Sequence, residues 1–346
     1  MKRYHSIGLL LSVLLIVSCS AIDEDRDDCG EDSNNFELNY ELRLVTNMTT
    51  ELETELTTST DVNVASALRQ YLSTIFTDFA HDIDLSFYDT QGDFARLQHD
   101  QHVMDANQAS YTLNLPMRQY MHLAAANLVE NIVVNLITDE HCYTAKFRQI
   151  DADTLPSHTT GLFSARLQMN VLEGVSQHFN VHLYMANCAS ALVIDTIGSG
   201  IRNMKVYTTG FATGFNLADS TFIYADTPPI VKADAVNTED HRHEAFCSVQ
   251  FPSPEASTTR TVIETTDPFV APAAEQSLWE YRIYATTSDG STTQTIFHIN
   301  KPLRAGQLKL LKAKAHPNGA ITTGDTSVGV SVTTHWNQGG QYNPEL

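Results

Sequence analysis

The sequence predicts a mainly β protein made of β-sandwich domains, with one short helix in the first domain. Many short segments alternate apolar and polar residues with a period of two, turn residues separate these segments, and a single segment shows helical spacing. Alternation of this kind places one face of a strand on a core and the other in water. Such strands, with turns between them, indicate a sandwich or barrel. A length of 346 residues favours about two domains.

In the first half, Ile83, Leu85 and Phe87 alternate with polar residues, and 111–115 repeats the pattern before Pro116. Short apolar runs follow at 121–126 and 132–137. The two aspartates of the first alternating segment, Asp82 and Asp84, fall on its polar face. We therefore expect both carboxylates to face solvent, although two acids on one face could also resemble a glycosidase pair.

One helix is predicted near residues 64–79. Leu68, Leu72, Ile75 and Phe79 recur at steps of three and four, so they share one helical face. An aliphatic and aromatic stripe of this kind is typical of core contact, and we expect the helix to pack against a sheet.

The polar, proline-containing segment 151–158 is predicted to be a linker. It divides an N-terminal sandwich, 36–150, from a C-terminal sandwich, 160–346. Strand patterns resume at 163–171 and continue to a last strand carrying Val328, Val330 and Val332. The stretch 225–272, rich in Pro, Ser, Thr and charge, is expected to form long loops.

Residues 1–18 have the features of a signal peptide. Lys2 and Arg3 precede an apolar run that is too short for a permanent membrane span. The run ends at Cys19 in the form of a bacterial lipobox, which predicts that Cys19 is acylated and becomes the new N-terminus. The alternative is an ordinary signal peptide in which Cys19 is incidental. Residues 19–35, with acids concentrated at 23–28, are predicted to be an acidic lipidated tether that cannot fold by itself.

The charge of the chain excludes one class of partner. Removal of residues 1–18 leaves 19 basic residues against 41 acidic ones, a formal net charge of −22. Nucleic acid repels a chain this acidic, so no nucleic-acid binding is expected. The remaining cysteines, Cys29, Cys142, Cys188 and Cys247, allow up to two disulfides in three connectivities.

No group of residues predicts catalysis, a metal site or a cofactor. His241 and His243 would share one strand face, but a polar loop explains them better. His99, Asp100 and His102 are expected at an exposed hairpin tip. We therefore predict that the protein is not an enzyme.

Several stretches together resemble the fimbrial anchor lipoproteins of Bacteroides-group bacteria, the fimbrillin-A-associated or minor-fimbrium anchor proteins. They are 19–29, 82–89 with 109–116, 121–128 and 328–337. The resemblance implies two tandem transthyretin-like β-sandwich domains at the base of a type V fimbrium. It also implies lipid attachment at Cys19 to the cell outer membrane, exposure at the cell surface, and fimbrial stalk or accessory subunits as partners.

In such fimbriae a strand of one subunit completes the sheet of another. The candidate donor here is the strand with Val328, Val330 and Val332, whose valines form one apolar row. The alternative is that this strand closes its own sandwich. A different function also stays open, a surface lipoprotein that binds glycan or host tissue as an adhesin, although Trp279 and Trp336 both fall in strand patterns and not on loops.

Overall fold

A computed structural model describes residues 35–45, 62–76, 80–103, 110–239, 242–256 and 277–335. The predictions for the signal peptide, Cys19, the acidic segment and Cys29 lie outside these residues. The single α-helix among them is α1 (Val62–Ile75), and a short 3-10 helix covers Cys142–Thr144. The strands are β1 (Asn35–Val45), β2 (Asp82–Asp89), β3 (Arg96–Val103), β4 (Ser110–Pro116), β5 (Gln119–Ala126), β6 (Val134–Ile137), β7 (Lys146–Gln149), β8 (Thr154–Pro156), β9 (Phe163–Asn170), β10 (His178–Met185), β11 (Cys188–Asp195), β12 (Ile201–Thr209), β13 (Gly214–Asn216), β14 (Thr221–Ile223), β15 (Ile230–Lys232), β16 (Asp234–Val236), β17 (His243–Gln250), β18 (Trp279–Thr287), β19 (Thr292–Ile299), β20 (Leu308–Ala315), β21 (Ile321–Thr323) and β22 (Val328–His335).

The predicted mainly β architecture is confirmed. The strands form sheets of seven, five, six and four strands, and the one described α-helix lies where the three- and four-residue spacing predicts it. Leu68, Leu72 and Ile75 are buried on its inner face, as expected, whereas Phe79 lies outside the described residues.

The seven-stranded sheet, in the order β3-β2-β5-β9-β10-β1-β4, folds back on itself. In a flat sheet, β5 and β4 would be four strand spacings apart, roughly 19 Å. Only Met117 and Arg118 connect them, and three Cα steps reach at most about 11 Å. The sheet bends where β9 meets β10, because these strands share just two register pairs. The result is two layers, β3-β2-β5-β9 and β10-β1-β4, that face each other.

A common core fills the space between these two layers. Leu38 of β1 and Leu115 of β4 meet Leu85 and Phe87 of β2, and all four side chains are fully buried. The same cluster continues through α1 to one face of the five-stranded sheet. Tyr71 of α1 donates a hydrogen bond of 2.6 Å to Asp234 Oδ2 on β16, which ties the helix to that sheet.

The five-stranded sheet (β16-β17-β11-β20-β21) packs its other face on the six-stranded sheet (β22-β19-β18-β12-β15-β8). The core between them is built around Trp279, Tyr281 and Phe297, none of which is exposed. Each sheet contributes alternate residues to this core, the arrangement of a sandwich.

The four-stranded sheet (β14-β13-β7-β6) covers the outer face of the β2-containing layer. Strands on both sides of the segment 151–158 therefore share sheets, because β9 and β10 join the first sheet, β13 pairs with β7, and β14 pairs with β13. The predicted linker itself contains β8, which pairs with β15. The division into the sandwiches 36–150 and 160–346 stays a prediction. The prediction of long loops at 225–272 is wrong over 230–250, because this stretch contains β15, β16 and β17.

The prediction that Asp82 and Asp84 face solvent is wrong. Both are buried, because the four-stranded sheet covers the face of β2 that the alternating pattern assigns to solvent. Asp82 accepts hydrogen bonds from Leu128 N (2.8 Å) and Val129 N (3.2 Å) and so fixes a turn. Asp84 Oδ2 lies 2.6 Å from His99 Nε2.

The three described cysteines are buried thiols. No disulfide joins Cys142, Cys188 and Cys247 to one another. Burial raises the pKa of the Cys188 and Cys247 thiols, so these side chains act as small apolar residues of the core.

Candidate functional site

The candidate donor strand is β22, and it forms one edge of the six-stranded sheet. It pairs antiparallel with β19 from Val328 opposite Ile299 to His335 opposite Thr292. Within the described part of the chain, no strand pairs with its outer side. An edge strand presents a row of backbone N–H and C=O groups, which is a template for pairing with another chain.

The valine row of β22 begins inside the core and ends in solvent. Its members lie opposite Ile299, Phe297 and Thr295, so they share the core-facing side of the sheet. Val328 is 8% exposed and belongs to the core between the five- and six-stranded sheets, whereas Val330 is 40% exposed and Val332 is 43% exposed. The edge therefore retains apolar surface that its own sandwich does not cover.

A buried polar chain holds β22 from the other face of the sheet. His298 Nε2 lies 3.0 Å from Ser331 Oγ, and His298 Nδ1 lies 3.2 Å from Glu280 Oε1. Ser277 Oγ donates to the same carboxylate oxygen at 3.0 Å, and Arg282 donates to the other oxygen at 3.4 Å. The chain thus links β18, β19 and β22 side by side.

The environment of Glu280 favours the ionised form of its carboxyl in spite of its burial. Burial by itself would raise the pKa of the Glu280 carboxyl, but the hydrogen bond with His298, the charge of Arg282 and the Ser277 hydroxyl hold it below its ordinary value. Nothing in the sequence pattern indicated this chain, because Glu280 and His298 occupy positions that alternation assigns to the outer face.

A short turn connects β21 of the five-stranded sheet to β22 of the six-stranded sheet. β21 is the edge of the five-stranded sheet, and the chain crosses to β22 through residues 324–327. Asp325 accepts hydrogen bonds from Ser327 N (2.9 Å) and Ser327 Oγ (2.6 Å), and Val328 N donates to Asp325 O (3.1 Å). The hydroxyl and amide of Ser327 lower the pKa of the Asp325 carboxyl. This turn sets the register with which β22 enters its edge position.

The other sequence candidates are dispersed. His243 begins β17, and His241 lies outside the described residues. His99 and Asp100 lie within β3, so their placement at a hairpin tip is wrong; the tip is the preceding turn. No cluster of three or more metal-binding side chains occurs where the chain is described. Across the same residues, none of the helical structure has the length and apolarity needed to span a bilayer.

One aromatic cluster on loops was not predicted. Tyr143 is 61% exposed, stacks on His141 at 5.3 Å between ring centroids, and meets Phe94 edge-on at 6.4 Å. The rings come from two loops that are distant in sequence. A hydrogen bond of 3.1 Å from Cys142 N to Phe94 O holds these loops together.

Comparison with known proteins gives distant structural likenesses. No protein-family model matches the chain, and no curated protein matches it. A solved structure of a candidate adhesin from Bacteroides ovatus aligns over 88% of this chain and 97% of its own, with 10% identity and a TM-score of 0.49. One described as a candidate polysaccharide-binding protein from Bacteroides thetaiotaomicron aligns over 83% and 97%, with 8% identity and a TM-score of 0.47. The tip fimbrial protein of Porphyromonas gingivalis, truncated at its C-terminus, aligns over 87% and 100%, with 11% identity and a TM-score of 0.41. At these TM-scores and identities the likenesses carry no argument about function.

Proposed function

We propose that this protein is a surface-exposed outer-membrane lipoprotein that anchors or assembles a fimbrium and joins other subunits by donating β22. Its partners in this proposal are fimbrial stalk or accessory subunits, and its membrane attachment is the acyl group on Cys19. Two tandem transthyretin-like sandwiches form the body, and the protein performs no catalysis.

The observation that carries the proposal is the state of the β22 edge. A strand that can be donated must lie at a sheet edge and carry an alternating row of apolar residues. Part of that row must stay exposed to solvent while the strand is in its own sheet. β22 meets all three conditions, since Val330 and Val332 are about two-fifths exposed. Transfer into a groove would bury these side chains fully, and full burial of a valine contributes about 1.5–3 kcal/mol. Backbone hydrogen bonds with β19 are exchanged for those with the partner, so the apolar row supplies the gain.

A reversible lock tests donation directly. Thr295 and Val332 are cross-strand neighbours, at the Cα separation that a disulfide requires. We expect the oxidised Thr295→Cys/Val332→Cys variant, co-expressed with a fimbrial subunit of the same locus, to form no stable complex, and the reduced variant to form one. The matched control is Ala285→Cys/Thr293→Cys, which locks β18 to β19, two strands that need not separate. If the oxidised β22 lock still forms the complex, donation by β22 is wrong. Deletion of residues 326–346 should likewise abolish the complex.

Attachment through Cys19 has its own test. Cys19→Ala should move the protein from the membrane fraction to the soluble fraction, because the acyl chains are lost. Continued membrane retention of this variant would refute the lipoprotein assignment.

A second candidate function, binding of glycan or host tissue, is favoured by the exposed rings of Phe94 and Tyr143, which the half-buried His141 ring supports. Aromatic platforms on loops are common in glycan sites. Tyr143→Ala should abolish glycan binding under this alternative and leave the subunit complex unchanged. Binding of a glycan panel that is insensitive to Tyr143→Ala would exclude this cluster as the receptor site.

A further inference from the structure

The end of the seven-stranded sheet at which β1 begins is made of four loops that touch one another. They are 90–95, 117–118, 140–144 and 171–177, and we call this end the free pole. Thr90 N donates to Gln119 O (3.2 Å), and Val171 N donates to Arg118 O (2.9 Å). Together with the bond from Cys142 N to Phe94 O, these contacts make the pole one continuous, hydrogen-bonded surface.

The free pole points away from the C-terminal sheets. β10 runs from the pole to Met185 at the opposite end, where the chain enters β11 of the five-stranded sheet. The bond from Tyr71 to Asp234 joins α1 to the five-stranded sheet, away from these loops. β1 begins at the pole, since Asn35 pairs with Pro116, so the segment leading back to Cys19 enters the fold here.

Large apolar side chains project from the free pole. Met117 is 51% exposed, Leu172 is 43% exposed and Val175 is 52% exposed, each in a turn where polar residues are the rule. Tyr143 and Phe94 add two exposed rings at its flank. Phe94 holds a φ of 62°, a backbone conformation that bulky residues rarely adopt.

Residues 20–34 connect the pole to the predicted acylation site. Fully extended, they reach at most roughly 50 Å, so a chain held by Cys19 keeps the pole within one molecular diameter of the bilayer.

We propose that the free pole lies on the lipid surface, with Met117, Leu172 and Val175 inserted among the headgroups; this inference rests on the lipid anchor of the proposed function. Tyrosine and other aromatic residues favour the same interfacial depth. Charge does not supply the attraction: Arg118 is paired with Asp89 at 2.6 Å, and Glu173 is exposed at the pole. The lipid surface that we expect the pole to contact therefore carries no net charge. The contact orients the C-terminal sheets, with β22, away from the membrane.

Spin labels on the full lipidated chain in phosphatidylcholine vesicles test the placement. The Cys29→Ser substitution removes the thiol of Cys29, and the buried Cys142, Cys188 and Cys247 do not compete for the label. We expect a label at Val175→Cys to be shielded from a water-soluble nickel chelate and open to oxygen. The matched control, Ile197→Cys in the C-terminal half, is 50% exposed and should show the reverse.

A kinetic readout tests the contribution of the apolar side chains. The lipidated Met117→Asn/Leu172→Asn/Val175→Asn variant should transfer between vesicles at least about tenfold faster than the wild type, because three apolar contacts are lost. The control variant Val129→Asn/Ile132→Asn/Ile197→Asn changes three other exposed apolar residues and should transfer at the wild-type rate.

Each outcome decides the inference. If the chain floats with vesicles but the Val175→Cys label stays open to the nickel chelate, the anchor stands and the inference is overturned. If that label stays in water on vesicles and becomes immobile only when a fimbrial subunit is added, the pole is a protein interface and the inference is again overturned. A chain that carries no acyl mass and does not float refutes the proposed function and the inference together.

Discussion

His298 is the residue whose loss should weaken the hold on β22 most directly. Its ring bridges the buried Glu280 carboxylate on β18 and Ser331 on β22, and the side chain is 6% exposed. The His298→Ala substitution removes both hydrogen bonds, so Glu280 Oε1 and Ser331 Oγ lose this partner. Glu280 then keeps Ser277 and a long contact with Arg282.

The magnitude follows from the two bonds. A hydrogen bond to a charged group contributes about 1.5–3 kcal/mol, and a neutral one about 0.5–1.5 kcal/mol. We therefore expect His298→Ala to lower the free energy of unfolding by about 2–4 kcal/mol. Ser331→Ala should cost about 0.5–1.5 kcal/mol, because it removes the neutral bond alone.

Urea unfolding followed by circular dichroism measures the global change. Amide hydrogen exchange at Gly329 and Ser331 measures the local release of β22, because Val328 N donates to Asp325 O and the next amide in the alternation faces β19. The control is His316→Ala, whose ring contacts Thr322 at 2.8 Å on an exposed site and should change stability by no more than about 0.5 kcal/mol. A loss below about 1 kcal/mol for His298→Ala, or β22 exchange equal to the wild type, would show that the polar chain does not hold the strand.

Three further predictions concern pH, the helix and a close backbone contact. Because the Glu280 pKa is depressed in the fold, its stabilising contribution is complete above the pKa of the unfolded carboxyl and is lost as pH falls through the lower folded value; Glu280→Gln should flatten this acid limb of the urea midpoint. Leu72→Ala, at a fully buried position of α1, should cost about 2–5 kcal/mol in urea unfolding, whereas the exposed neighbour Gln70→Ala should stay within about 0.5 kcal/mol. Gly214→Ala would place a Cβ 2.6 Å from Phe147 O, so β13 must shift; a drop of at least about 1 kcal/mol is expected, and an unchanged melting temperature would contradict the contact.

Features that depend on residues close together in the sequence could be predicted, whereas features that depend on packing between distant segments could not. The α1 stripe was readable because Leu68 and Leu72 share a face whatever the helix packs against. The burial of Asp84 was not readable, because it depends on the four-stranded sheet, whose strands come from 134–149 and 214–223. The Glu280–His298–Ser331 chain was hidden for the same reason, since it joins three strands across register positions that no local period encodes.

The amino-acid sequence by itself determined the mainly β character, the helix and the valine row of β22, because each depends on residues close together in the chain. It also determined the negative net charge, which depends on composition alone. The tertiary structure alone decided that the first sheet folds into two layers, that β22 lies at an edge with Val330 and Val332 partly uncovered, and that the apolar turns meet where β1 begins. The physical reason is that the exposure of a strand face or edge depends on which distant segment packs against it. Strand pairing between distant segments decides which segment that is.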